Sequence, residues 1–392
     1  MERTRNGWRW DLLTGIVVYL VSAIPVAIGV ARDARPNLLE SFFHFDGGHY
    51  IHLVELGYWY DPDRASGVAF FPGYPLAAEA IIALTGVSSR YGLLIASNLF
   101  LIAAFAFFSA YLRKESPLTR WCSLAVLALW PVGISFRVAY SESMLLAVLA
   151  LFMLGLARRC PIVVLAVIAG AATGVRAVGV AASAAVLLHL IMDASRGTLK
   201  KRFLSAAALA PITVWGLLAY MLFQFVQFDT PLAFVQTQKH WSVYVPEHRE
   251  PIDKAMRLAI AEPIWGSYIP GSKRHWTIAN EDENPFLGSS FWNPILFVLA
   301  GGLVVFGWYR RWLTREEFLL GFGLVAIPYL SRADEQSMIS HARFAAVVLP
   351  AYLVMGRLLS QSSFALRAFV FALLAIGLTL WSGFFASGRP LL

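Results

Sequence analysis

The sequence predicts an all-α polytopic membrane protein, a single domain over 1–392 built as a bundle of about eleven transmembrane helices. Three observations predict it. Of 392 residues, 58% are hydrophobic and only 14% are charged, too little charge to cover a water-soluble core of this size. Apolar runs of roughly 17–25 residues, the length that crosses a ~30 Å hydrocarbon layer, recur along the whole chain. The basic residues sit mainly in short loops between those runs, so the net charge of +8 orients helices rather than attracting nucleic acid.

Taken in order, Arg3, Arg5 and Arg9 precede an apolar run over 12–30. This run exceeds a secretory h-region and reads as a retained first helix with its N-terminus in the cytoplasm. The segment 31–91 is too polar in its first half to span and is expected outside. Its LAAEAIIALTG (76–86) is shorter than a span and suits a re-entrant or interfacial helix. Further spans are expected near 92–112, 120–136, 141–157, 161–175, 177–192, 204–226, 291–308, 317–331, 343–359 and 366–386. This threading sends RKESPLTR (113–120), Arg158 and Arg159, Arg196 with Lys200, Lys201 and Arg202, and Arg310, Arg311 and Arg315 to the cytoplasm, as the positive-inside rule requires. Two short helices meeting at 174–176, rather than one long tilted helix, keep both flanking basic loops inside. The long loops 31–91 and 227–290 fall outside, where length overrides charge. Cys122 and Cys160 border spans near the cytoplasmic face and offer neither a disulfide framework nor a thiolate cluster.

The richest polar cluster is HFDGGHYIH (44–52). Gly47 and Gly48 permit a sharp turn or a close approach to a ligand, and a following helix places Asp46 and His49 one turn apart, with His52 nearby. One reading is a carboxylate and imidazoles aimed into a cavity at the membrane surface. Another is a solvated turn with Asp46 as a simple N-cap. A third is a metal site, since His44, Asp46, His49 and His52 are tolerable ligands, but no HExxH is present and the expected metal is none. GVAFFPGYP (67–75) follows, with Phe71 and Tyr74 either an aromatic lip for a polyprenyl chain or members of an interfacial belt. In PLAFVQTQKHW (231–241), Gln236, Gln238, His240 and Trp241 offer hydrogen bonds and a stacking face suited to sugar hydroxyls; an ordinary polar loop is the alternative.

Charge at membrane depth costs ~2.5–3.5 kcal/mol on insertion scales and commonly marks function. Arg137 in GISFRVAYSES, Arg176 in ATGVRAVGV and Arg343 in SHARFAAVVLP all thread to the outer ends of helices. There they snorkel to the interface, or their planar forks gather round a phosphate. Tyr140 and Glu142 lie beside Arg137, and Glu142, close to an apolar span, requires a partner for which Arg137 is nearest in sequence.

In order, FDGGHYIHLVELGY, AFFPGYP, RVAYSES, TGVRAVGV, PLAFVQTQKHW and ARFAAVVLPAYL resemble the PIG-V-type family, the transferases that add the second mannose in glycosylphosphatidylinositol assembly, with their bacterial relatives. The resemblance runs from about residue 40 to 360. It implies a GT-C-type bundle with a long first outer loop carrying interfacial helices, and transfer of mannose, with inversion, from a polyprenyl-phosphate or dolichyl-phosphate donor to a lipid-linked or surface glycan acceptor. It places the catalytic acid at Asp46 and a companion imidazole at His49; Phe45 stands where the family's pattern has Trp. No cofactor is implied, the lipid-phosphate sugar being a substrate. The expected setting is a bacterial cytoplasmic membrane with the site on its outer face, or the endoplasmic reticulum in a eukaryote. A lipid or solute transporter is the competing class, but transporters commonly show repeats and broken helices near the midplane, and neither is visible here. A scaffold fits the density of acid, histidine and arginine on one face less well.

Overall fold

The computed structural model describes residues 7–33, 38–242, 250–276, 286 and 288–389, and among them every regular element is a helix. Arg3, Arg5 and the parts of the second outer loop at 243–249, 277–285 and 287 lie outside the described residues. The first half of the chain forms α1 (Gly7–Asp33), α2 (Asp46–Leu56), α3 (Gly73–Thr85), α4 (Ser89–Tyr111), α5 (Pro117–Ala128), α6 (Glu142–Ala157), α7 (Ile162–Val175) and α8 (Val180–Met192). The second half forms α9 (Leu199–Thr213), α10 (Trp215–Phe228), α11 (Pro251–Ala259), α12 (Ser289–Tyr309), α13 (Arg315–Gln336), α14 (His341–Ala345), α15 (Leu349–Ser360) and α16 (Phe364–Ala386).

Helices stand close to every expected span, but their lengths differ in kind. By length and apolarity, α1, α4 with its 3-10 extension, α12 and α16 suffice to cross a membrane, and the pair α9–α10 supplies a fifth crossing if it counts as one. α6, α7, α8 and α15 are apolar but only 12 to 16 residues long. The short helix expected at 76–86 is α3, ended by Gly86 in the left-handed conformation. The break expected at 174–176 is present, with Arg176 extended at φ −156°, ψ 147° between α7 and a 3-10 turn.

Three expected spans are interrupted, which corrects the sequence reading that no broken helices are present. Residues 204–226 bend by 53° between α9 and α10. Pro211 removes a donor near the end of α9, and α10 crosses α7 so closely that a side chain on Gly216 would overlap the backbone at Gly174 and Gly170. The 120–136 stretch leaves the helix after Ala128, just before Pro131. The 343–359 stretch is α14 and then α15, restarted with Pro350 in the first turn of α15, where a missing N–H costs nothing.

α4 packs along α6 and α1, α16 lies against α1, α5 against α15, α8 against α13 and α7 against α10. Phe105, Phe108, Trp130, Phe136 and Phe152 are fully buried between them. Outward, α1 presents Val17, Leu20, Val21, Ile24 and Ile28, and α16 presents Phe369, Leu373 and Ile376. Exposed apolar surface on this scale requires lipid; the chain is an integral membrane protein.

Charges gather at the helix ends. Asp11 of α1 is 3% exposed and receives Arg113 and, at 3.1 Å, Arg120. Glu317 accepts from Tyr111 and, at 3.0 Å, from Lys114, while it completes a capping box with Thr314 at the start of α13. Arg357 forks onto Glu115 at 2.6 and 3.0 Å. All lie at the helix ends that the basic loops assign to the cytoplasm. The opposite ends of α6, α7 and α13 carry the site.

Candidate active site

Asp46 opens α2. The residue before it, Phe45, takes φ 55°, ψ −118°, a conformation costly for an aromatic residue and found where the surroundings enforce it. Its ring packs on Phe385. Gly47 and Gly48 were expected to make this turn, but a side chain on either would meet only ordinary contacts, the nearest atoms at 3.6 and 3.9 Å. The bend falls on Phe45. Asp46 does not act as an N-cap either; its Oδ2 accepts from Arg343 Nη1 at 2.6 Å.

Arg343 lies in α14 with 7% of its side chain exposed, against 26% for Asp46. Its Nε is 3.3 Å from Glu142 Oε1, and its Cζ lies 5.1 Å from the centre of the Tyr140 ring. Glu142, buried in the first turn of α6, also accepts from Arg176. Two carboxylates and two guanidiniums therefore alternate, Asp46, Arg343, Glu142, Arg176, with both acids at helix N-termini, where the macrodipole favours negative charge. The partner expected for Glu142 was Arg137, and the structure corrects this. Arg137 turns toward α1, donating from Nη2 to Tyr19 O at 2.7 Å and Ser22 Oγ at 2.6 Å and lying over the Tyr19 ring. It ends a 3-10 turn that directs it away from α7 and α14.

Burial alone would raise the Asp46 carboxyl; the charge and hydrogen bond of Arg343 outweigh it and hold the group below the usual carboxylate range. His49, one turn along α2, stacks on Phe70 with ring centres 5.1 Å apart and meets Trp241 edge-on at 5.0 Å. Desolvation lowers its pKa and outweighs the opposing pull of Asp46.

Asp46, though not His49, lines a cavity of about 650 Å³. Asp46, Glu142, Arg176, Arg343, Gln238 and Trp241 share it, and Phe71 forms part of its wall. The other predicted residues stand elsewhere. Tyr74 is a core residue, its hydroxyl donating to Leu93 O at 2.9 Å and sharing a hydrogen bond with Ser97. The Tyr140 hydroxyl donates to His44 O at 3.2 Å. The His44 ring lies 3.3 Å from Ala386 O, and His52 meets Trp59. Gln236 accepts from Tyr60 at 2.6 Å, and His240 lies 2.9 Å from Pro62 O; both fasten the second outer loop to the first. The histidines proposed together as ligands thus have separate partners.

Tyr50, Arg332, Glu335 and Gln336 also line the cavity, and sequence reasoning missed them. The signal was present for α13: the apolar run expected over 317–331 ends on SRADEQ, a charge-dense turn directly after a span. Among the described residues, Trp241 Nε1 and Gln336 Oε1 are buried without hydrogen-bond partners, leaving a donor and an acceptor in the cavity wall for a polar ligand.

No family model matches the chain. It is 28% identical over 255 residues to the rat (Rattus norvegicus) protein named GPI alpha-1,6-mannosyltransferase 2, covering 59% of this chain and 49% of that one. The human (Homo sapiens) protein of the same name is 27% identical over 259 residues, 60% of this chain and 50% of the relative. The chain spans about half the length of the curated relatives it matches. The resemblance of this chain to the PIG-V-type family is therefore shown by its relatives as well as by its motifs.

Proposed function

We propose that this chain is a GT-C-type membrane mannosyltransferase that moves mannose from a polyprenyl-phosphate carrier to a hydroxyl of a lipid-linked or surface glycan acceptor, on the non-cytoplasmic face. The observation that carries this reading is Asp46, an ionised and partly open carboxylate, set in a cavity that combines basic groups with an apolar wall. In the reaction the acceptor oxygen bonds to the anomeric carbon from the side opposite the phosphate and inverts it. The bond from that carbon to the phosphate oxygen breaks, its electron pair leaves with the phosphate, and the hydroxyl proton passes to Asp46. Phosphate departs without a proton, so one carboxylate suffices, whereas glycoside hydrolysis commonly needs two. Fixed positive charge round the cavity offsets charge growing on the leaving group. His49, packed on Phe70 and Trp241 outside the cavity wall, acts as a positioning residue beside Asp46.

The printed name of both relatives supports mannose as the sugar. The test is transfer from radiolabelled polyprenyl-phosphate mannose to a lipid extract of the source by purified wild type and Asp46→Asn. Wild-type transfer that Asp46→Asn abolishes supports the reading; equal turnover by the folded variant ends it.

A further inference from the structure

The cavity holds more positive charge than its own carboxylates neutralise, and the surplus is localised. Arg176 is bound to Glu142, and Arg343 to Asp46 with Glu142 beside it. Of the three arginines expected to receive a phosphate, Arg176 and Arg343 are already occupied by acids and Arg137 turns away to Tyr19 and Ser22. Lys239 stands exposed at the rim. Arg332 is different. It is half-buried in the wall, and among the described residues its side-chain partner is a neutral one, Gln238, whose Oε1 accepts from Arg332 Nη1 at 2.5 Å.

The carboxylates that follow Arg332 on α13 are taken by other cations. Asp334 is 1% exposed and receives Arg257 at 2.9 Å and Arg274 at 2.5 Å; Glu335 is drawn to Lys254 at 2.7 Å. These links pin the end of α13 to the second outer loop; among the described residues neither acid forms an ion pair with Arg332, although Glu335 and Asp46 act on it through space. Gln238 is fixed in turn, donating from Nε2 to Phe234 O at 2.9 Å. One turn back along α13, Ile327 and Pro328 line the same wall, with Val178 and Val235 also in the cavity. This helix face therefore passes from apolar to cationic over about one turn, matching an amphiphile with a hydrocarbon tail and an anionic head.

We infer that Arg332, oriented by Gln238, is the docking point for the phosphate of the lipid-linked donor, while Arg343 and Arg176 serve as counter-ions that position Asp46 and Glu142. This rests on the mannosyltransferase reading and deepens it. Among the described residues Arg332 hydrogen-bonds to an amide and forms no ion pair with a carboxylate, and its planar fork suits a phosphate.

The test is binding of undecaprenyl phosphate, with undecaprenol as the uncharged control, to the purified full-length protein in detergent, without any transfer assay. Wild type is expected to prefer the phosphate. Arg332→Gln should weaken phosphate binding about 10-fold or more, the loss of a charge-assisted hydrogen bond, and leave undecaprenol unchanged. Arg332→Lys, the variant for use if Gln fails to fold, should recover only part of the preference over wild type's fork. Gln238→Ala should lie between. If wild type does not distinguish phosphate from alcohol, the lipid-phosphate reading itself fails. If it does, and Arg332→Gln or Arg332→Lys keeps the full preference, the assignment to Arg332 is overturned while the broader reading survives.

Discussion

Under the proposed mechanism, Asp46 carries the most consequence of any single residue. Asp46→Asn preserves size but removes the basic carboxylate, and initial transfer rates at saturating donor should fall by ~10²–10⁴-fold, the range of general acid–base catalysis. His49→Ala should cost less, since the ring stacks on Phe70 and Trp241, and EDTA should leave wild-type rates unchanged. A chelator-sensitive wild type would point to a metal. The pH profile follows from the shifts. Asp46 has a depressed pKa in the folded protein, so its stabilising pair with Arg343 is complete above the ordinary carboxylate range and is lost as pH falls through the lowered value. The His49 pKa is also lowered, so transfer rates measured from pH 8 to 5.5 should show no acid limb at the ordinary imidazole range of about 6.5. A limb there would contradict a neutral His49. Arg343→Ala orphans Asp46 and part of the charge partnership of Glu142; thermal unfolding should show a loss of about 3 kcal/mol, the scale of a broken buried ion pair. Arg137→Ala should also destabilise, through Tyr19 and Ser22, with donor KM unchanged.

At the scale of elements, the site depends on helices that stop early. α7 ends at Val175, which turns Arg176 toward Glu142 instead of leaving it in a continuous helix. The bend between α9 and α10 lets α10 sit on α7 at Gly174 and Gly216. Gly216→Leu should force these helices apart; transfer should drop at least about 10-fold and the unfolding temperature fall, since overpacking costs ~1–3 kcal/mol. A variant with wild-type activity and melting would show that the close crossing is dispensable. The joined outer loops, through Tyr60 with Gln236 and Pro62 with His240, cover the cavity where Phe71 and Trp241 stand.

For the whole molecule, sidedness decides the role. Helix ends carrying Asp11, Arg113, Lys114, Glu317 and Arg357 are tied to one another, opposite those carrying Asp46 and Arg343. In intact cells, single cysteines at Asp63 and Lys273 should react with an impermeant thiol reagent, and one at Lys114 should not. Labelling at Lys114 from outside would reverse the threading and place the cavity on the cytoplasmic side.

The membrane class, the approximate helix positions, the break near Arg176 and the prominence of Asp46 were legible in the sequence, because apolar run length, short basic loops and a lone polar cluster beside a span are local properties. Pairing was not. Arg137 is five residues from Glu142, yet Glu142 meets Arg176 and Arg343, since the direction of a side chain is set by where its helix stops and what packs beside it. Arg332 drew no notice because a charge at the end of a span ordinarily reaches solvent. Only the tertiary structure gave Asp334 and Glu335 to cations on the second outer loop and turned Arg332 into the cavity. Composition determines that the chain enters a membrane; long-range packing decides which of its many charges meet one another and which face the cavity.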